Sequence, residues 1–237
     1  MRRLARIALL ICAAFLTRAI HPAPAAAVPR PYVGGQFRDW VFSNHNDLRD
    51  GLVYWVPGPF HVTLEYWDFI DPSSHDQFRP EIGVHLRDAR RSVYTAQWRH
   101  EYQAERLTFG TEQILAAHWV GRAEVSPIIS SHLTQTVVSG GFDYYWQSYN
   151  FASATLIHDP RETDLWVVPL RVRLATESNN WVQATVAPAS QGTIGWSFDV
   201  SLRGVRLGVE RNSRYDFTNL DNTVYTVGYE RACGPQP

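Results

Sequence analysis

Arginine is the residue type with the most binding chemistry in this sequence, because all 22 basic residues are Arg and none is Lys. A guanidinium group binds carboxylates and other oxyanions through paired hydrogen bonds. Alternating segments predict a set of charged residues on polar strand faces: Arg171, Arg173, Arg203, Arg206, Asp199, Glu210, Glu65, Glu81 and Arg99. If these strands surround an interior, the arginines form a constriction for anions or acidic glycans. Internal pairing with the acids is the favoured alternative.

Two groupings resemble catalytic sites. The loop Asp71–Asp76 holds Ser74, His75 and Asp76, the residue types of a hydrolase triad. A triad needs geometry that neighbours in one loop rarely achieve, so a turn is favoured. His61 and His85 lie on polar strand faces near Glu65 and Glu81, where a hydrogen-bond network is favoured over an acid/base pair. We therefore predict no catalytic residue, and an enzyme is the less favoured function.

One segment offers oxygen ligands for a metal: Asn44, Asn46, Asp47 and Asp50 precede Gly51. Leu48 and Arg49 occupy positions where an EF-hand loop needs ligands, so a solvated loop is favoured. No Cys/His cluster has zinc spacing, and neither a P-loop nor a dinucleotide fingerprint is present. We predict no metal and no cofactor.

Composition excludes several classes of protein. The chain has 237 residues, 45% hydrophobic and 19% charged, with a net charge of −1. That charge argues against a nucleic-acid partner that needs a large basic surface. The hydrophobic content also argues against disorder and collagen.

The N-terminus predicts export. Met1–Ala27 has an arginine-rich start, a ten-residue apolar run at Ile7–Leu16 and an Ala-x-Ala cleavage site. Cleavage would remove four Arg and no acid, leaving 18 Arg against 23 acids and a net charge of −5. Cys233 would then be the single cysteine, which excludes an intramolecular disulfide.

Alternation with period two dominates the rest of the chain, which predicts β-strands. In Thr193–Arg203, for example, Trp196 and Phe198 fall on one face and Asp199 on the other. The cleanest segments are 60–66, 78–87, 92–102, 166–174, 193–203 and 205–212, and the less regular ones are 32–42, 107–114, 119–125, 136–146, 149–158, 180–187 and 223–231. Of these thirteen candidates we expect about twelve true strands. Only Ala104–Ala117 offers a helical alternative.

Alternating strands suit either a soluble sandwich or a transmembrane barrel, and aromatic placement favours the barrel. Aromatic residues concentrate at strand ends, as interfacial girdles require. The predicted girdle residues are Trp40, Trp67, Tyr144, Trp146, Trp166, Trp181, Tyr225 and Tyr229. The polar segment Glu230–Pro237 argues against the barrel, since such barrels usually end on an aromatic residue.

A series of segments carries a family resemblance. In order these are Arg122–Leu133, Gly140–Trp146, Leu165–Leu174, Asn180–Val186 and Val224–Tyr229. Their order resembles the YaiO-type outer-membrane β-barrel family of Gram-negative bacteria over roughly residues 30–230. The resemblance implies one barrel in the outer membrane, a role near polysaccharide or surface glycans, and no established catalytic residues.

We therefore predict an all-β protein: a single antiparallel up-and-down transmembrane β-barrel of about 12 strands. Residues 1–27 would be a cleaved signal peptide, 28–229 the barrel and 230–237 a C-terminal tail. The expected function is a narrow pore of low or no conductance, or a structural or surface-glycan-associated barrel. A secreted or periplasmic carbohydrate-binding β-sandwich and an outer-membrane hydrolase are the alternatives. Expected partners are outer-membrane lipid, polysaccharide or lipopolysaccharide, and the barrel assembly machinery.

Overall fold

A computed structural model describes residues 31–42, 47–70, 76–88, 92–101, 103–131, 133–147, 149–160, 165–177, 180–211 and 222–232. The predicted signal peptide and residues 233–237 of the tail lie outside these ranges. The strands are β1 (Tyr32–Phe42), β2 (Leu48–Val56), β3 (Phe60–Phe69), β4 (Gln77–Asp88), β5 (Ser92–Glu101), β6 (Ala104–Ala116), β7 (Trp119–Ser130), β8 (Thr134–Tyr145), β9 (Phe151–Asp159), β10 (Leu165–Val167), β11 (Leu170–Glu177), β12 (Asn180–Pro188), β13 (Ile194–Leu202), β14 (Val205–Arg211) and β15 (Asn222–Ala232). Within the described ranges, no helix has the length and apolar character needed to cross a bilayer.

The sheet closes on itself. Neighbouring strands pair antiparallel around the whole circuit, and β15 pairs with β1 from Tyr32↔Ala232 to Phe42↔Asn222. β10 and β11 lie on the same edge of β9 in one unbroken register, from Leu165↔Asp159 to Leu170↔Ala154. They are one strand interrupted at Pro169, which has no backbone N–H to donate. The molecule is therefore an all-β, antiparallel, closed barrel of fourteen strands.

The expectation of about twelve strands was wrong for two reasons: none of the thirteen candidates was false, and β2 was not among them. The run Arg49-Asp50-Gly51 has the composition of a turn, but it lies inside a strand that pairs with both β1 and β3. Tertiary pairing overrides local turn propensity here. All thirteen candidate segments are strands, and 104–117 is β6 with a short turn rather than a helix.

The two ends of the barrel differ in their connections. At the end where β1 begins and β15 ends, the connections are short: 57–59, 89–91, 117–118, 146–150, 178–179 and 203–204. We call this the turn end. The opposite end, the loop end, includes the longer connections 70–76 and 212–221. The last strand continues through Ala232, so residues 230–232 belong to β15.

The apolar faces of the strands point outward. On β13, Trp196 and Phe198 are exposed, while Asp199 and Ser201, at the alternate positions that follow, are buried on the inner face. The same alternation repeats on β3, where Leu64 and Tyr66 are exposed and Glu65 is 3% exposed. A sandwich would bury the apolar face, so this arrangement is that of a barrel surrounded by lipid.

Candidate functional site: the charged lumen

A ladder of alternating charges crosses the inner wall formed by β1 to β5. Arg38 donates from Nε to Asp50 Oδ1 at 2.8 Å and from its terminal nitrogen to Glu65. Arg99 donates to the other oxygen of Glu65 and lies 3.9 Å from Glu81. The strand register explains the pairing, because Arg38 lies opposite Asp50 and Arg99 opposite Glu81. We call these five residues the paired belt.

A histidine pair adjoins the paired belt. His61 Nε2 lies 3.3 Å from Glu81, and the His61 and His85 rings are 4.9 Å apart. The His61 ring occupies the space next to Gly83, where an added Cβ would lie 2.0 Å from its Cε1 atom. His85 is in turn hydrogen-bonded to Thr95 at 3.1 Å. These contacts favour the network interpretation, because each histidine is held against the wall.

Three arginines project from the inner wall of β11 and β14. Arg206 pairs with Asp199 at 2.7 Å. Arg173 donates to the neutral Gln183 at 2.7 and 3.0 Å, and its guanidinium lies 4.3 Å above the Trp181 ring. We call Arg171, Arg173 and Arg206 the arginine wall.

Two members of the arginine wall have no carboxylate within salt-bridge distance in the described part of the chain. No carboxylate there pairs with Arg171 or Arg173, and the buried Nε of Arg171 has no hydrogen-bond partner. The paired belt has two arginines for three acids, whereas the arginine wall has three arginines for two inner-face acids, Asp199 and Glu210. Within this count, the wall is the side with excess positive charge.

One residue of the predicted charge cluster lies elsewhere. Arg203 occupies the tight turn between β13 and β14 with φ of 51°, followed by Gly204 with φ of 87°. It is exposed at the turn end, so its prediction as a lumen residue was wrong. The alternation of β13 stops at Leu202, and the turn itself breaks the inward-outward pattern. Glu210 lies on the inner face of β14, opposite Ser197.

Three predicted girdle residues face the lumen instead. Trp40 and Trp67 are each 2% exposed, and Trp181 lies beneath Arg173. Strand-end position was a poor guide for them, because the period-two alternation decides the face. The remaining five lie on the outer face: Tyr144, Trp146, Trp166, Tyr225 and Tyr229.

Sequence reasoning missed several partners in the lumen. Asp50 was placed in a possible metal loop but belongs to the paired belt. Arg122 donates to Asp143 at 2.7 Å, forming a further pair between β7 and β8. Only the strand register, which was not readable from one sequence, brings such residues together.

Two cavities open between these groups. One of about 380 Å³ is bordered by Arg206, Tyr54, Glu230 and every member of the paired belt except Asp50. Another of about 260 Å³ is bordered by His85, Glu112, Arg122 and Glu124. Charged side chains line both cavities, as a hydrated lumen requires.

The other candidate sites receive no support. Ser74, His75, Asn44 and Asn46 lie outside the described residues. Asp76 accepts hydrogen bonds from the Tyr66 hydroxyl at 2.6 Å and the Phe69 amide at 3.3 Å, so it is engaged in the turn. The described ranges contain no group of three or more residues suited to a metal ion.

Comparison with known proteins gives matches at the level of structure. No protein-family model and no curated protein matches the chain. Among solved structures, the chain is similar to the KdgM porin, with a TM-score of 0.54, 9% identity, and coverage of 85% of this chain and 99% of that one. A triple mutant of the Rhodopseudomonas blastica porin aligns with a TM-score of 0.52, 9% identity and the same coverage. The chain therefore has the closed β-barrel fold of the outer-membrane porins.

Proposed function

We propose that this protein is an outer-membrane β-barrel that forms a narrow, anion-preferring pore of low conductance and has no catalytic role. The observation that carries the proposal is the arginine wall, where Arg171 and Arg173 face the lumen without a carboxylate partner in the described residues. Fixed positive charge on a pore wall raises the local concentration of anions and lowers their energy of entry.

The arginine wall suits organic oxyanions. A guanidinium offers a planar pair of donors to a carboxylate or phosphate. Trp181 adds an aromatic face between Arg173 and Arg206, whose guanidinium carbons lie 4.3 and 5.8 Å from its ring. Acidic saccharides combine carboxylates with ring faces and are the solute class we favour. One of the similar structures is that of the KdgM porin in complex with disordered oligogalacturonate.

The apolar outer surface of the barrel supports a location in the outer membrane. The outward apolar face requires lipid, and strands of this length suit a bilayer crossed at a tilt. Barrels of this class place short turns in the periplasm and longer loops outside, which would put the turn end and both termini in the periplasm. We also propose that residues 1–27 direct export and that the barrel assembly machinery inserts the protein. We further propose that the protein is related to the YaiO-type family and has lipopolysaccharide or polysaccharide as a partner.

The structure removes support from the sandwich alternative and does not test the hydrolase alternative. A carbohydrate-binding sandwich would bury its apolar faces, whereas Phe198, Leu207 and Val227 are exposed on the outside of a closed barrel. The hydrolase interpretation depends on Ser74 and His75, which lie outside the described residues.

Ion selectivity in planar bilayers tests the proposal. The reversal potential across a tenfold KCl gradient should indicate a preference for chloride. Arg171→Gln/Arg173→Gln should move the potential toward zero by removing the excess charge. Arg203→Gln is the matched control, because it removes an arginine charge at the exposed turn and should leave selectivity close to that of the unmodified protein. A cation preference, or selectivity unaffected by the double substitution, would refute the proposal.

A further inference from the structure

The inner face of the barrel changes character at the loop end. There β15, β1, β2 and β3 contribute inward side chains that are almost fully buried and mainly apolar. The members of this first group are Phe42, Trp40, Leu48, Trp67 and Val224, at 8%, 2%, 1%, 2% and 2% exposure. A second group follows on β9, β10 and β12, composed of Leu165, Val167 and Ala187, with Ile157 and Ala189 packed against them. We call the two groups together the apolar collar.

The register places Trp40, Leu48 and Val224 at one level of the barrel, with Phe42 one inward position nearer the loop end and Trp67 one inward position farther from it. Trp40 lies opposite Leu48 on one side and opposite Val224 on the other, and Leu48 lies opposite Phe69. Trp40 stacks on Phe42 with ring planes 9° apart, and Arg79 lies 3.5 Å above Trp67. These contacts hold the Trp40, Phe42 and Trp67 side chains on the inner face of the barrel.

The two groups lie on opposite sides of the barrel as two separate clusters. In a circle of fourteen strands, the strand seven positions away is diametrically opposite. β9 is therefore opposite β2, and the interrupted strand β10–β11 is opposite β3. The second group also begins at the loop end, because Leu165 and Val167 start the strand that follows the connection 160–164.

Apolar burial separates the two ends of the lumen. Leu48 and Trp40 at the loop end are 1–2% exposed and are enclosed by apolar neighbours. Toward the turn end the inward residues are mainly polar and their burial is mixed: Ser201 is 4% exposed, Tyr54 is half-buried and Glu230 is exposed. Tyr54 and Glu230 also line the 380 Å³ cavity, so that cavity extends toward the turn end.

We propose that the apolar collar closes the lumen at the loop end, so that anions reach the arginine wall from the turn end and cross only when the collar opens. Hydrophobic constrictions block ions because an ion must shed water there without gaining polar partners. The anionic nature of the solute rests on the proposed function, whereas the closure rests on the burial and position of the collar.

Accessibility of an introduced cysteine from each side tests the closure. In a Cys233→Ser background, Gln36→Cys places a thiol on the inner wall beside the 380 Å³ cavity. In planar bilayers, a neutral methanethiosulfonate reagent is added to one side at a time. Gln191→Cys at the loop end and Arg203→Cys at the turn end identify the orientation of the inserted protein. We expect modification of Gln36→Cys at least tenfold faster from the turn end.

Collar variants complete the test. Trp40→Ala/Trp67→Ala should bring the loop-side rate close to the turn-side rate, and Leu165→Ala provides a milder opening from the opposite group if the double variant does not fold. Equal rates from both sides with the collar intact would overturn the proposal, as would an asymmetry that both folded collar variants leave unchanged. Because the reagent is neutral, these rates do not depend on the arginine wall, and loss of anion preference alone would refute only the proposed function.

Discussion

Glu65 provides the strongest single test of the paired belt. Its carboxylate is 4% exposed and accepts hydrogen bonds from both Arg38 and Arg99. Glu65→Gln keeps the size and one acceptor oxygen but removes the charge between two guanidinium groups. Arg38 keeps Asp50 at 2.8 Å, whereas Arg99 keeps only Glu81 at 3.9 Å.

The expected loss of stability follows from those remaining partners. Breaking a buried ion pair by removing one member costs about 3–5 kcal/mol. Asp50 and lumen water partly compensate the two arginines, so we expect Glu65→Gln to lower the free energy of unfolding by about 2–4 kcal/mol. The free energy of unfolding is measured by urea titration of the protein folded in lipid vesicles, with unfolding and refolding curves coinciding.

Asp39→Asn is the matched control, because it removes a carboxylate from an ion pair near the loop-end rim of the outer face, where Arg49 lies opposite both Asp39 and Asp68. Asp39 is 41% exposed and lies 3.5 Å from Arg49. An exposed pair at a hydrated rim contributes about 0–1 kcal/mol, so this variant should stay close to the unmodified protein. If Glu65→Gln costs no more than Asp39→Asn, the belt is a solvated set of charges and the reasoning from burial fails.

Two further substitutions test how the lumen side chains are held. Gly83→Ala forces the His61 ring off the wall and should cost about 1–3 kcal/mol of unfolding free energy, whereas Gly51→Ala, with no atom within 4 Å of the added Cβ, should change it by less than about 0.5 kcal/mol. An equal effect of the two would contradict the close packing of His61 on Gly83. Trp181→Leu removes the ring beneath Arg173 and should weaken current block by an acidic oligosaccharide about fivefold, equivalent to about 1 kcal/mol of cation–π and stacking contact. Trp166→Leu on the outer face should leave the block unchanged, and an equal effect of both would count against a lumen role for Trp181.

The strands were largely readable from the sequence because each has one apolar and one polar face. Val205–Arg211 and Ile194–Leu202, for example, alternate without interruption. β2 was missed because Arg49-Asp50-Gly51 has local turn chemistry, and only pairing with β1 and β3 makes it a strand. Arg203 was wrongly assigned to the lumen because the predicted strand extended one residue beyond Leu202, into the turn.

The site was less predictable than the fold. Alternation indicates that Arg171 and Arg173 share a face, but not that Gln183 rather than a carboxylate lies beside Arg173. Whether Trp40, Trp67 and Trp181 point inward or outward depends on the alternation of side chains along each strand. Their position at strand ends does not indicate this direction. A single sequence does not contain the register between strands, and the register determines which charges meet.

The inside-out arrangement of faces is the central claim, and two adjacent residues of β15 test it most directly. Val227 is 55% exposed on the outer face, and Thr226 lies on the inner wall. In a Cys233→Ser background, each is replaced in turn by Cys, labelled with an environment-sensitive fluorophore and reconstituted into vesicles. The label at Val227→Cys should be quenched by spin-labelled lipid and protected from aqueous iodide, and the label at Thr226→Cys should show the opposite preference. Equal quenching at both positions, or lipid quenching at Thr226→Cys alone, would contradict a barrel with an apolar exterior and a charged lumen.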